Sequence, residues 1–234
     1  WRFRIPSKKF FKPLLIFSLS MGVLVYVFMN LSLYHSSIIS PIILGSQLAI
    51  PFGILASAFI LKENISKNKW LLILASFLGI LIIFFDPKLN ENYLGLFFAS
   101  LMALFFGLAQ VYSRQLKELP TSTINASTGI FGFSLLLILS IIFEGNIYKN
   151  LEQININSWI LISYQAVIVS LCAHLLMFYL YKFYTVGQIF PFYSLFPIFG
   201  IILSYITFGE VPTLMFILGG IIVISSVFLL HKIK

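Results

Sequence analysis

Residues 47–63, with the sequence QLAIPFGILASAFILKE, determine the fold expected for this chain. The stretch has the composition of an apolar helix, with a Gln at its start, a Pro and a Gly inside it and a Glu at its exit. Residues 197–210, PIFGIILSYITFGE, repeat its Gly, Ile, Ser and Glu at the same spacing, and a proline shortly precedes the glycine in both copies. We therefore predict a chain built from two related halves.

The composition places this duplicated unit in a membrane. Of the 234 residues, 60% are hydrophobic and only 9% are charged, and the mean hydropathy is +1.02. A soluble domain of this size cannot bury so much apolar surface while it exposes so little charge to water. Charge-free runs, long enough for spans of about 20 residues, predict an all-α bundle of eight transmembrane helices, at residues 13–34, 38–61, 70–85, 94–113, 122–143, 158–183, 188–208 and 211–230. The third span is short, and we expect it at the periphery of the bundle.

The basic residues are distributed unequally between the two ends of these helices. If each span crosses the membrane once from a cytoplasmic N-terminus, only Lys88 and Lys149 of the 15 basic residues lie outside. This positive-inside bias predicts that both ends of the chain lie in the cytoplasm. It also argues against a nucleic-acid interface, which would gather the net charge of +8 on one soluble face.

The two copies of the repeat run in opposite directions through the membrane in this topology. Glu63 follows its helix on the cytoplasmic side, whereas Glu210 follows the matching helix on the outer side. Halves of inverted topology are typical of secondary transporters, in which the two halves exchange conformations and so open one side or the other. The spacing therefore indicates a transporter that works by alternating access.

The same residues resemble a known family. They are the stretch from Gln47 to Glu63 followed by Gly79, the Tyr93-Leu94-Gly95 start of the fourth span, and the segment from Phe190 to Gly219. In their order and spacing they resemble the drug/metabolite transporter superfamily, and within it the EamA family of inner-membrane metabolite exporters. On the strength of Gln47 and Phe190-Pro191, the chain is most similar to the O-acetylserine/cysteine exporter branch.

The resemblance implies a domain organisation and an activity. Family members have ten helices in two repeats of five, so residues 1–92 would be the remainder of the first EamA repeat, with three helices and without its N-terminal hairpin. Residues 93–234 would be the second repeat, with five helices. The opening stretch WRFRIPSKKFFK is then expected to be a cytoplasmic loop that follows an earlier span. The implied activity is export of small metabolites, amino acids or related compounds, across a bacterial inner membrane.

Polar side chains inside the predicted spans are the candidate solute-binding residues, because a polar group in lipid is costly unless it has a partner. The candidates are Asn30, Gln47, His174, Tyr193 and Ser194. Uncharged amides and hydroxyls can bind an amino-acid head group without a fixed charge that would trap it. We expect Gln47 and Ser194 to face each other across the pathway, with His174 nearby as a proton carrier. Hydrogen bonds between helices are the alternative role for these residues.

Two prolines and two glutamates are candidate hinge and gating residues. A proline inside a helix frees a carbonyl, which in lipid must find another partner. Pro51 and Pro197 are therefore expected at hinges or at the edge of a cavity. Glu63 and Glu210 lie at helix ends, where a gating role competes with the role of an ordinary solvated or ion-paired carboxylate.

No motif in the chain predicts an enzyme. The sequence has no HExxH, GxSxG or Walker motif, no Cys/His metal spacing and no acidic pair inside a span, so we expect no catalytic residue, metal or cofactor. The expected partners are a small-molecule solute and the lipid bilayer, and not nucleic acid. The sequence leaves open whether the chain forms a homodimer. It also leaves two alternative functions, a polytopic membrane enzyme and a non-transporting membrane assembly subunit.

Labelling of single cysteines tests the topology. Cysteines introduced at Ser36, Asn90 and Asn146 are expected to react with a membrane-impermeant thiol reagent outside the cell, because these positions lie in predicted outer loops. Cysteines at Asn68 and Lys117 are expected not to react. The opposite pattern contradicts the orientation, and with it the inverted repeat.

Overall fold

The computed structural model describes residues 6–87, 92–143, 145, 152, 154–173 and 195–232. Within these residues every regular element is a helix, as continuous apolar runs without strand-like alternation predict. The α-helices are α1 (Lys8–Leu19), α2 (Val25–Tyr34), α3 (Ser40–Ser46), α4 (Ala49–Ile60), α5 (Lys67–Phe84), α6 (Tyr93–Gln115), α7 (Thr121–Phe143), α8 (Ile156–Tyr164), α9 (Phe196–Phe208) and α10 (Leu214–Lys232). The described residues also include two π-helical segments, Ser20–Leu24 between α1 and α2 and Gln165–Ala173 after α8.

Each predicted span contains helix in the described part of the chain. The segments Lys8–Tyr34 and Ser40–Ile60, together with α5, α6 and α7, are long and apolar enough to cross a membrane. The described helices in the last three predicted spans are also apolar but shorter. The fold is therefore a polytopic membrane helix bundle, and the predicted fold class is confirmed.

The chain forms two compact units. One comprises residues 1–134 and 194–234, and the other comprises residues 135–193. The first unit contains α1 to α6, α9, α10 and the first half of α7. All contacts described below lie within this unit.

Glycines allow the helices of this unit to pack with their backbones almost in contact. At the crossing of α5 with α10, a Cβ atom added to Gly219 would lie 2.5 Å from the carbonyl oxygen of Gly79. At the crossing of α4 with α6, a Cβ atom added to Gly107 would lie 2.7 Å from the backbone nitrogen of Gly53. Close approach through small residues is the usual way in which helices associate in lipid, where no hydrophobic force between helices is available.

Helix α5 has one packed face and one exposed face. The packed face lies against α10 and contributes Ile73, Ser76 and Ile83 to the interior. The other face exposes large apolar side chains such as Leu71 and Leu78, as a lipid-facing surface requires. The short span thus packs closely on α10 through Gly79 and leaves its other side open, in agreement with the expected peripheral position.

Substitution of Gly107 by alanine tests the close crossing of α4 and α6. The added methyl group would meet backbone atoms of Ala49 and Gly53, which cannot rotate away. We expect Gly107→Ala to lower the free energy of unfolding in detergent by about 1–3 kcal/mol. Gly129→Ala on α7 is the matched control, because no atom lies within 4 Å of its added Cβ. An unfolding midpoint equal to that of the parent for Gly107→Ala would contradict this packing.

Candidate functional site

The predicted span 38–61 is broken at its centre. Helix α3 ends at Ser46, Gln47 and Leu48 form a turn, and α4 begins at Ala49. Around the break the amides bond three residues back instead of four: the N–H groups of Gln47 and Leu48 donate to the carbonyls of Leu44 and Gly45, at 3.0 and 3.1 Å. The span is therefore a helix whose regular bonding is interrupted by one tightened turn, at which Gln47 and Leu48 keep helical dihedral angles, and we call this interruption the break.

Pro51 explains where this break occurs. Proline has no N–H, so it leaves the carbonyl four residues earlier, that of Gln47, without its usual helical partner. The N–H of Ile50 donates to this carbonyl instead, at 3.2 Å, and the regular pattern resumes where Phe52 donates to Leu48 at 2.9 Å. Pro51 itself is fully buried. Pro51, a predicted hinge, and Gln47, a predicted solute-binding residue, thus belong to the same local feature.

The Gln47 side chain is buried at this break. Only 8% of the residue is exposed, which is unusual for a glutamine inside an apolar helix. Within the described residues, its side-chain amide makes no hydrogen bond to the protein, and it is not among the fully buried side-chain atoms that lack a partner. The amide therefore reaches accessible surface, where it has hydrogen-bonding capacity to offer a bound molecule.

The other predicted solute-binding residues are placed differently. Asn30 on α2 is exposed, and its side-chain amide donates to the carbonyl of Tyr26 in the same helix, at 3.0 Å. His174, Tyr193 and Ser194 lie outside the described residues. The expected opposition of Gln47 and Ser194 therefore stays a prediction.

Pro197, the second predicted hinge, is fully buried in the first turn of α9. A proline in a first turn requires no hydrogen-bond donor and fits the helical backbone. The carbonyl that it would free belongs to Tyr193, which lies outside the described residues. Pro51 and Pro197 thus both lie in the first turn of a described helix, as the third residue of α4 and the second residue of α9, and the carbonyl that Pro51 frees is the one at the break.

Glu210 caps the start of α3 from a distant part of the chain. Its carboxylate accepts hydrogen bonds from the backbone N–H of Ile39 at 2.6 Å and from the backbone N–H and hydroxyl of Ser40 at 3.0 and 2.6 Å. Pro41 has no N–H, and the N–H of Ile42 donates to the carbonyl of Ile39. The amides at the start of α3 are therefore accounted for, although no side chain of α3 itself caps it.

These contacts lower the pKa of Glu210. Partial burial raises it, but the hydrogen bonds from Ile39 and Ser40 outweigh burial and hold the pKa of the carboxyl below its ordinary value. The group is therefore ionised at neutral pH, as a strong helix cap requires.

A second polar contact holds the turn before α3. Asn92, which is buried, accepts hydrogen bonds at its Oδ1 from the N–H of Ser37 at 2.7 Å and from the hydroxyl of Ser36 at 2.9 Å. Gly95 lies beneath this turn, and a Cβ added to it would lie 2.7 Å from the Cβ of Ser36. We call this end of the helices, with residues 35–40, 85–87, 92 and 209–213, the Ser36 end.

A third contact at the Ser36 end fixes the loop that carries Glu210. The hydroxyl of Thr213 donates to the buried carboxylate of Asp86. The same hydroxyl accepts from the N–H of Phe216, so that Thr213 caps the start of α10. Gly209 ends α9 in a left-handed conformation at φ 69°, which glycine adopts without steric cost. The five residues from Gly209 to Thr213 are therefore held at both ends.

The opposite end of the helices, with residues 8–9, 61–69 and 114–120, carries exposed ion pairs, and we call it the Glu63 end. Arg114 pairs with Glu63 at 3.2 Å, and Lys9 pairs with Glu118 at 2.7 Å. The hydrogen bond from Lys9, and then its charge, lower the pKa of the Glu118 carboxyl. Exposed pairs contribute little stability, so the charge contacts at this end differ in kind from the buried ones at the Ser36 end.

Ser66 and Thr213 were not predicted as helix-capping residues, but the sequence contains a pattern that marks both. Ser66 accepts from the N–H of Lys69 at the start of α5, just as Thr213 accepts from Phe216 at the start of α10. Each follows its glutamate, Glu63 or Glu210, by three residues. A Glu followed three residues later by Ser or Thr before an apolar run therefore marks both helix starts. The roles of Asn92 and Asp86 have no such local signal.

Two grooves among the described residues are apolar. One, of about 300 Å³, is lined by Leu48, Phe52, Phe77, Ile80, Leu81, Phe84, Leu96, Phe97 and Ser100. Such a lining suits lipid acyl chains and not a zwitterionic solute. No three His, Cys, Asp or Glu residues of the described part of the chain come together in a group that would hold a metal ion.

Comparison with known proteins gives one match. The model of the EamA-like transporter family matches residues 93–231, which is more than half of the chain. No curated protein matches it.

The effect of pH on stability tests the Glu210 cap. Because the folded-state pKa of Glu210 is depressed, its stabilisation is present above the pKa of the unfolded chain and is lost as pH falls through the folded-state pKa. Glu210→Gln should lower the free energy of unfolding at neutral pH by on the order of 1–3 kcal/mol, and the deficit should shrink in acid. Glu152→Gln, at an exposed glutamate, is the control. A deficit independent of pH would contradict an ionised cap.

Proposed function

The chain belongs to the EamA-like transporter family, and on that premise we propose that it exports small metabolites, amino acids or related compounds, by alternating access. Membership makes it a multi-pass membrane transporter of the drug/metabolite superfamily. Gln47 is one of the residues through which the chain resembles the O-acetylserine/cysteine exporter branch, and this resemblance supports amino acids or related compounds as the class of solute. We place it in a bacterial inner membrane.

The observation that carries this proposal is the buried Gln47 amide at the break between α3 and α4. Transporters place solutes near the middle of the membrane, at discontinuous helices whose backbone departs from the regular pattern. An amide offers both a donor and an acceptor, and so suits the carboxylate and the ammonium of an amino acid. Asn30, His174, Tyr193 and Ser194 are the further residues proposed to bind the solute.

The chain is proposed to lie with its Ser36 end outside and both termini in the cytoplasm. Among the described residues, the Glu63 end carries Lys62, Lys67, Lys69 and Lys117, whereas the Ser36 end carries Asp86 and Glu210. This distribution supports the orientation by the positive-inside bias. The family match begins at Tyr93, which supports a second repeat over residues 93–234.

The hinge and gating residues follow from the same geometry. Pro51 and Pro197 are the proposed hinges, because each interrupts or begins a helix inside the bundle. Glu63 and Glu210 are the proposed gating residues, and each joins a helix end to another part of the chain. The matching helix starts at Ser66 and Thr213 support the inverted repeat.

Export of amino acids from cells that express the protein tests the solute site. Gln47→Ala should reduce export about tenfold or more, because the lost amide contributes hydrogen bonds to the bound solute. Ser134→Ala is the control, since Ser134 is exposed and its hydroxyl donates to the carbonyl of Ile130 in its own helix. The amount of each variant in the membrane is measured alongside. Export by Gln47→Ala at the parental rate would place the solute elsewhere.

A further inference from the structure

The first half of the broken span depends on another part of the chain for its N-terminal cap. The start of α5 is capped within its own sequence, by Ser66. The start of α3 instead takes its cap from Glu210, 170 residues further along the chain. Movement of the loop that carries Glu210 can therefore release the start of α3 from its cap, without any change in the residues next to α3 in the sequence.

We propose that Glu210 is a latch that holds α3 closed at the Ser36 end, and that α3 swings on the break at Gln47–Pro51 when the latch opens. This inference rests on the proposed transport function and names the gate through which the solute leaves. The structure then represents the conformation that is closed at the Ser36 end.

The two segments that the latch joins, the loop with Glu210 and helix α3, differ as the parts of a gate must: the first is fixed and the second is short. On one side, the loop with Glu210 is fixed by Gly209 at the end of α9 and by Thr213 at the start of α10. On the other side, α3 has only seven residues and is separated from α4 by the break. A short segment at a helix break can rotate while the longer helices around it keep their packing.

The latch and the proposed solute site lie at the two ends of α3. Helix α3 carries Ser40 at its start and ends next to Gln47. Its Ile43 packs against α9, where a Cβ added to Gly200 would lie 2.8 Å from the Ile43 Cδ1 atom. In this proposal, release of Ser40 frees the segment that lies between Gln47 and the Ser36 end.

The accessibility of position 43 tests the latch. A single cysteine at Ile43, in a chain whose exposed Cys172 is replaced by serine, is labelled in intact cells with a membrane-impermeant maleimide. Glu210→Gln should raise the labelling rate about tenfold, because a neutral amide holds the α3 amides less strongly than a carboxylate. Ser40→Ala, which removes one of the three hydrogen bonds, should raise it less.

Glu118→Gln is the matched control, because it removes the same charge from the opposite end of the helices, where Glu118 pairs with Lys9 and has no proposed gating role. Its labelling rate should equal that of the parent. An unchanged rate in Glu210→Gln would overturn the proposal, and so would an equal rise in Glu118→Gln, which would indicate general loosening. If Glu210→Gln does not insert, Ser40→Ala decides the test in the same way.

This measurement separates the latch from the solute site. Labelling does not require transport, so a tenfold rise together with parental export by Gln47→Ala supports the latch and rejects Gln47 as the solute site. Reduced export by Gln47→Ala without a labelling change in Glu210→Gln rejects the latch alone.

Discussion

The structure depends on one constraint: in lipid, every backbone N–H and carbonyl needs a partner within the protein. Pro51 removes one donor, and the chain responds with a tightened turn at Gln47 and Leu48. Helix α3, which precedes this turn, starts with amides that its own side chains do not cap, and Glu210 supplies the missing acceptor. The break and the remote cap are thus consequences of the same requirement.

Close packing through glycine makes these local features possible. The contacts of Gly79 with Gly219 and of Gly53 with Gly107 hold α5, α10, α4 and α6 together at backbone distance. The longer helices then surround the short α3, which packs against α6 and α9 and whose N-terminal amides bond to Glu210. A break in one helix between closely packed neighbours is what a transporter needs in order to move one segment at a time.

Much of this arrangement could be predicted from the sequence, because apolar runs and charge gaps locate helices in a membrane directly. The break at Gln47 was also foreseeable, since Pro51 acts on the residue four positions before it. The Glu210 cap and the Asn92 contact were not, because they join residues 170 and 55 positions apart and capping patterns describe only neighbours. The packing of α5 on α10 could not be predicted for a related reason: Gly79 is informative only once its partner on α10 is known.

The central claim is that this member of the EamA-like family moves amino-acid-like solutes through alternating conformations. Counterflow in proteoliposomes tests it most directly: vesicles that hold the purified protein are loaded with one unlabelled amino acid, and entry of the labelled form is followed from a dilute external solution. The account predicts transient accumulation of label above its equilibrium level for at least one amino acid of a panel, and none in vesicles without protein. Accumulation for none of them would contradict the claim.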